Sequence, residues 1–262
     1  MIILIDKQGI YMKKRIITFF IVIVLFLTCV SCSSAEKYFI RSPYNEGSTQ
    51  LFHAFDTIEA AKTCLKDVEQ LGYVIYDSKG NVAYHPFDTL AQSRILYQAK
   101  TVADYVRTNG YTYGNASVNP AYDQGKTEKL VSCDRFVAWA IFLSGYSKAH
   151  YENSILSLYG EKNIENYLIA NDFTRIDNIE EVQGGDVIFV GDSHEHYPNL
   201  QGFWMEYPDH VFICAGGSEF GNFYRYDAGS TRRITSVQPS KEPLEYPGKN
   251  FRFAYRAPAE LP

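Results

Sequence analysis

The chain has 262 residues, with 25 Lys and Arg against 30 Asp and Glu and a net charge of −5 with histidine neutral. Nothing in that balance forms a basic stripe to meet phosphates, which excludes nucleic acid as a partner. The length allows one ordinary core plus a small satellite domain, and 21 Tyr with 17 Phe point to strands and an aromatic-lined groove as much as to plain core.

The N-terminus reads as an export signal. Lys13-Lys14-Arg15 precedes an apolar run over residues 16–30, with Met12 the more natural start than Met1. The run, about fifteen residues, is short of the ~20 that span a bilayer. Small residues follow in Ser31-Cys32-Ser33-Ser34-Ala35, which allows lipid attachment at Cys32 or cleavage after Ala35. Either exit puts the mature protein outside the cytoplasmic membrane. Loss of residues 1–32 removes four basic residues and one acidic one, moving the net charge from −5 to −8.

Residues 36–87 read as a small βαββ module. Leu51-Phe52-His53-Ala54-Phe55 is extended, Asp56 and Glu59 are spaced as a capping box, and Ile58, Ala61, Leu65 and Val68 recur at helical spacing until Gly72. Tyr73-Val74-Ile75-Tyr76 and Asn81-Val82-Ala83-Tyr84 then flank the turn Asp77-Ser78-Lys79-Gly80. The module is equally readable as a wall-associating unit or as a packing extension of the larger domain after it.

Residues 88–262 read as the main domain. A long helix is expected over 89–108, capped by Thr89 with Gln92, apolar along Ile95, Ala99, Val102 and Val106, and stopped by Asn109-Gly110. A second helix is expected from Cys133 to Ser144 with Gly145 beyond it, and the two should pack side by side. Cys133 then occupies the first helical turn, where unpaired N–H groups and the helix dipole favour a thiolate. A shorter helix near residues 164–170 leads to strands at Asp186-Val187-Ile188-Phe189-Val190, Asp209 to Ala215, Phe223 to Asp227 and Phe251 to Tyr255. Helices first and strands later give an α+β class with a mainly antiparallel sheet.

His210 opens one of those strands, and turn residues between it and the next allow a hairpin that brings Asp227 beside it. Asp227 would accept from one ring nitrogen and leave the other for Cys133, which is the order nucleophile, base, orienter. Of the cysteines beyond the signal, Cys64 fits the buried face of a helix and Cys214 a strand interior, so both read as small core residues. An odd number of three leaves at least one thiol unpaired.

Four segments in this order resemble the NlpC/P60 superfamily of cysteine peptidases and amidases that act on bacterial cell-wall peptides. Cys133-Asp134-Arg135-Phe136-Val137 is similar to the family's Cys-Ser-Gly-Phe-Val, Gly185-Asp186-Val187-Ile188-Phe189 to Gly-Asp-Leu-Val-Phe, and His210-Val211-Phe212-Ile213 to His-Val-Gly-Ile. Tyr111-Thr112-Tyr113-Gly114 stands where the family has Tyr-x-x-Gly. The likeness covers residues 111–256. It implies a papain-like fold, helices packed on an antiparallel sheet, with Cys133, His210 and Asp227 as a triad and Tyr111 assisting at the oxyanion.

Ser132 before the nucleophile and Asp134-Arg135 after it depart from the family pattern, so these residues should alter the walls of the substrate cleft. An inserted loop over 115–129 should border the site. Trp204, with Phe203 and Tyr207, is placed either to stack on a sugar or peptide or to anchor its own loop. His194-Glu195-His196 lies in a loop beside Pro198 without a third ligand, and thiol chemistry needs neither metal nor cofactor.

The expectation is a monomeric, exported or lipid-anchored cysteine hydrolase that cleaves an amide in peptidoglycan stem peptides. The alternatives are a non-catalytic protein that binds wall peptides and an acyltransferase or transglutaminase-like enzyme that passes the same thioester to an amine.

Overall fold

A computed structural model describes residues 36–44, 52–114, 129–147, 160–191, 208, 210–216, 224–228 and 251–260, with the backbone alone for 196–198 and 204–206. The export signal and Cys32 lie outside the described residues, as do 115–128 of the inserted loop. Tyr38 and the residues after it belong to one unit.

The N-terminal part of that unit is a three-stranded antiparallel sheet backed by a helix. Its strands are β1 (Phe39–Arg41), β2 (Val74–Tyr76) and β3 (Val82–Tyr84), in the order β1-β2-β3, and the helix is α1 (Ile58–Lys66). The first strand is thus not the segment expected from the sequence. Phe55 contributes only a bridge to Tyr38, with both backbone bonds at 2.9 Å, while Ile40 in β1 is fully buried beside Ala61, Leu65 and Ile75. Burial of Ile40 decides which extended segment joins the sheet. The helix cap also differs: extended Thr57 accepts from the Ala60 N–H at 3.2 Å, and Glu59 pairs with Lys62 at 3.0 Å instead of closing a box with Asp56. The β2–β3 turn forms as expected, the Asp77 carboxylate accepting from the N–H groups of Lys79 and Asn81, each at 2.8 Å.

Helix α2 (Leu90–Thr108) carries the expected capping box between Thr89 and Gln92 and buries Ile95, Ala99, Val102 and Val106. Between it and the N-terminal sheet the backbones come very close. Gly72 has φ +76, and a Cβ there would stand 2.4 Å from both Ser93 O and Tyr97 N. Tyr97 of α2 in turn packs edge-on to Tyr73 at 5.8 Å. A short parallel pair, β4 (Thr112–Tyr113) with β5 (Leu130–Val131), leads into α3 (Cys133–Leu143), which ends at Ser144 as expected. Helix α4 (Gly160–Ala170) follows.

The main sheet is antiparallel and has five strands. They are β6 (Thr174–Ile176), β7 (Val187–Val190), β10 (His210–Gly216), β11 (Tyr224–Tyr226) and β12 (Phe251–Arg256), in the order β11-β10-β7-β12-β6. Strand β6 is one more than the sequence pattern predicts; only Ile176 of its three residues is buried, so it carries little apolar signal. Residues expected to lie in a loop before His210 form a second small antiparallel pair, β8 (His196–Pro198) with β9 (Trp204–Glu206). Pro198 is tolerated there because a two-stranded ribbon leaves one side of each strand unpaired.

Alternation along the strands divides the core. Val187, Phe189, Val211, Ile213, Ala215, Phe253 and Tyr255 face the buried sides of α2, α3 and α4. Ile188, Val190, Phe212, Cys214 and Ala254 form a second cluster on the other face. The described chain is therefore a mixed α+β fold of helices against antiparallel sheet, and none of its described helices is long and apolar enough to cross a membrane.

Candidate active site

Cys133 is the first residue of α3, preceded by Ser132 in extended conformation. The Ser132 hydroxyl donates to the Asp134 carboxylate, so this short side chain braces the helix start. Phe136 N–H bonds the Ser132 carbonyl at 2.9 Å, closing the first turn of the helix that Cys133 opens. Cys133 is 3 % exposed, and Asp134 and Arg135 are buried at 4 % and 1 %. In this structure those two side chains are built into the helix start rather than displayed on a cleft wall.

His210 and Asp227 meet directly. The imidazole Nε2 lies 3.0 Å from Asp227 Oδ2, although the residues are seventeen apart in the chain. The cause is register. Ile213 pairs with Tyr226 across β10 and β11, so Asp227 follows on opposite Phe212, and His210 is its diagonal neighbour two residues along the same face. A hydrogen bond at Nε2 leaves Nδ1 of the ring for another partner. Asp227 is 2 % exposed, and Arg225 Nε stands 3.2 Å from the same Oδ2.

Strand alternation puts the His210 ring on the side of Phe212, 6.0 Å between centroids, whereas Cys133 belongs to the cluster that includes Val211. The described hydrogen bond of the His210 ring is the one to Asp227. His210, however, sits on the last rung of the sheet, where it pairs with Val190 and Val190 with Phe251.

Helix α3 runs away from this rung. Just past its C-terminal end, Tyr146 receives the Tyr167 hydroxyl on its carbonyl and packs edge-on to Phe173 at 4.9 Å. Phe173 precedes β6, whose Thr174 pairs with Arg256 at the opposite end of the sheet from His210. An eleven-residue helix is about 16 Å long. With its last turn fixed at the Arg256 end and its body packed on β10, its first turn points back to the His210 end.

Tyr111 is held in an aromatic cluster, 6.1 Å from Trp139 and 5.9 Å from Tyr105 by ring centroids, and its N–H bonds Val106 O at 3.1 Å. It therefore contacts the Cys133 helix, a turn and a half beyond the cysteine. Trp204 lies in β9, with its side chain outside the described residues, as are His194 and Glu195. No group of three metal-ligating side chains occurs among the described residues.

The remaining cysteines behave as core. Cys64 packs against the N-terminal cluster, Cys214 is wholly buried, and both are free thiols, as is Cys133. Burial pushes the Cys214 thiol far up from its ordinary value, so it has no thiolate character.

Two features went unread in the sequence. Arg225, two residues before Asp227 in a strand, must share its face, so period-two alternation was the available signal. Asp186, noted only as part of a motif, proves to be a fully buried junction. Its carboxylate takes Arg256 Nε at 3.0 Å and Nη2 at 2.8 Å, Gln92 Nε2 at 3.2 Å and the Gln183 N–H at 2.8 Å. Gly185 beside it has φ +88, and a Cβ would meet Gln92 Cα at 2.6 Å. The Gly-Asp pair thus locks β7 to the start of α2 and the end of β12.

Comparison of the chain with models of protein families, with curated proteins and with solved structures gave no match.

Proposed function

We propose that this protein is a papain-like cysteine hydrolase of the NlpC/P60 type, acting on an amide in peptidoglycan stem peptides. The observation that carries the reading is the His210–Asp227 hydrogen bond at 3.0 Å on the last rung of the sheet, with Cys133 opening a helix that packs on the same strand. A helix start favours thiolate, a buried carboxylate fixes one imidazole tautomer, and Nδ1 remains to exchange a proton with sulfur.

In this reading Cys133 attacks the amide carbonyl after giving its proton to His210, which then protonates the leaving amine. Water, deprotonated by His210, hydrolyses the thioester and restores the thiol. Asp227 orients the ring in the resting enzyme. The Cys133 backbone N–H and the Tyr111 hydroxyl steady the oxyanion. Because the imidazole sits on the Phe212 side, productive geometry requires its Nδ1 to reach the sulfur around the strand end, and the ring's 16 % side-chain exposure leaves room for that rotation. The charged N-terminus and its apolar run support export, with the mature chain lipid-anchored through Cys32 or released after Ala35.

The test is digestion of purified peptidoglycan by the mature protein and by Cys133→Ala, with products identified by mass spectrometry. New amino termini from the wild type and none from the variant are expected. Equal products from both would remove the thiol from the mechanism, and adducts to added amines would point to acyl transfer.

A further inference from the structure

The buried carboxylate of Asp227 meets two nitrogen groups through one oxygen. His210 Nε2 lies 3.0 Å from Oδ2 and Arg225 Nε 3.2 Å from it. Both groups also rest on one ring: Phe212, 1 % exposed, has the His210 centroid at 6.0 Å and the Arg225 Cζ at 5.8 Å from its own. Arg225 keeps its charge at every working pH.

We propose that Arg225 is a positioning residue of this site, an ion-pair partner that fixes the Asp227 carboxylate beside His210 and sets a permanent positive charge next to the ring. The proposal rests on the reading of His210 and Asp227 as base and orienter. Arg225 also sets an electrostatic balance. By neutralising Asp227 in part, it limits how strongly that carboxylate favours imidazolium, and so keeps the ring available as a base. Among the described residues, the charged and titratable groups on the elements packed against β10 and β11 include Tyr224, Arg225 and Asp227 along β11, Glu69 in the turn after α1, Asp104 on α2, and Cys133, Asp134 and Arg135 at the start of α3, with Arg252 at the bulge of β12; β7 sets the apolar Val190 beside His210.

The experiment is a proton NMR titration of the His210 ring in the full mature chain, the resonance being assigned by its loss in His210→Gln. Arg225→Gln is expected to raise the midpoint by about half a pH unit or more, with Arg225→Lys restoring it to near the wild-type value. A midpoint unchanged in a folded Arg225→Gln overturns the proposal, because a purely structural arginine would alter stability without moving the titration. If Arg225→Gln does not fold, Arg225→Met takes its place: a raised midpoint supports the role of charge, and an unchanged midpoint, or failure of Arg225→Lys to restore fold or midpoint, overturns it. The outcome is separable from the hydrolase reading, which falls on activity of Cys133→Ala whatever the titration shows.

Discussion

The Tyr226 hydroxyl donates to the Gln70 carbonyl at 3.2 Å, tying the residue next to Asp227 to the turn that follows α1. The N-terminal sheet thereby supports the strand that carries the proposed orienter, and Tyr226 itself is fully buried. Burial also pushes its phenol far above the ordinary value, so it donates at any working pH. Tyr226→Phe should lower unfolding free energy by about 1 kcal/mol or somewhat more, since Gln70 loses its donor. Urea unfolding of the two proteins measures this, and an unchanged midpoint would mean that the bond contributes nothing.

Gly72 fixes how closely the N-terminal part approaches α2. Gly72→Ala meets two backbone atoms at 2.4 Å and a left-handed φ, neither of which a flexible side chain can relieve. A loss of about 2 kcal/mol or more is expected. Gly110→Ala is the control, since φ there is also positive but nothing stands within 4 Å of the added Cβ. It should cost clearly less in the same thermal unfolding assay.

Arg256→Ala should be among the most damaging single changes in the described structure. It leaves the fully buried Asp186 without its bidentate partner and frees the end of β12. Breaking a buried pair from one side costs about 3 to 5 kcal/mol. Circular dichroism during urea unfolding would show the shift, and a loss below about 1 kcal/mol would contradict a junction of this kind.

The site itself predicts a graded series. Asp227→Asn should cut turnover by about 10² to 10⁴, because the amide cannot hold the same tautomer or stabilise imidazolium. Tyr111→Phe should cost about 10² to 10³ if its hydroxyl steadies the oxyanion. Both are read as initial rates of stem-peptide cleavage, and an Asp227→Asn enzyme at full rate would separate this carboxylate from the chemistry.

The thiols offer a chemical test. Cys133 should react with iodoacetamide at pH 6, where an unactivated thiol is slow, while Cys214, wholly buried and with its thiol pushed up, should react only after unfolding. Peptide mapping after brief labelling distinguishes the two. Slow labelling at Cys133 would remove the support for an activated sulfur.

Much of this molecule is written in local signals. The Thr89 capping box, the Asp77 turn, the four apolar positions of α2 and the start of α3 at Cys133 each depend on residues within one or two turns of one another, so spacing alone reveals them. The α+β order and the approach of Asp227 to His210 follow from strands joined in sequence. Other features depend on partners that spacing cannot identify. Phe39–Arg41, rather than the equally extended segment near Phe55, forms the strand because Ile40 packs against Ala61, Leu65 and Ile75, and β6 joined an edge with a single buried residue to announce it.

Residue order and spacing mark out the side chains that could carry chemistry: a cysteine at a helix start, a histidine at a strand start and an acid one strand later. Tertiary structure alone decided their company. Register across β10 and β11 put Arg225 on the oxygen that His210 uses, parity put the imidazole over Phe212 rather than Val211, and burial turned Asp134 and Arg135 inward. Those outcomes depend on how strands align and what remains exposed after packing, and a linear pattern records which residues alternate without recording which face, or which neighbour, each will meet.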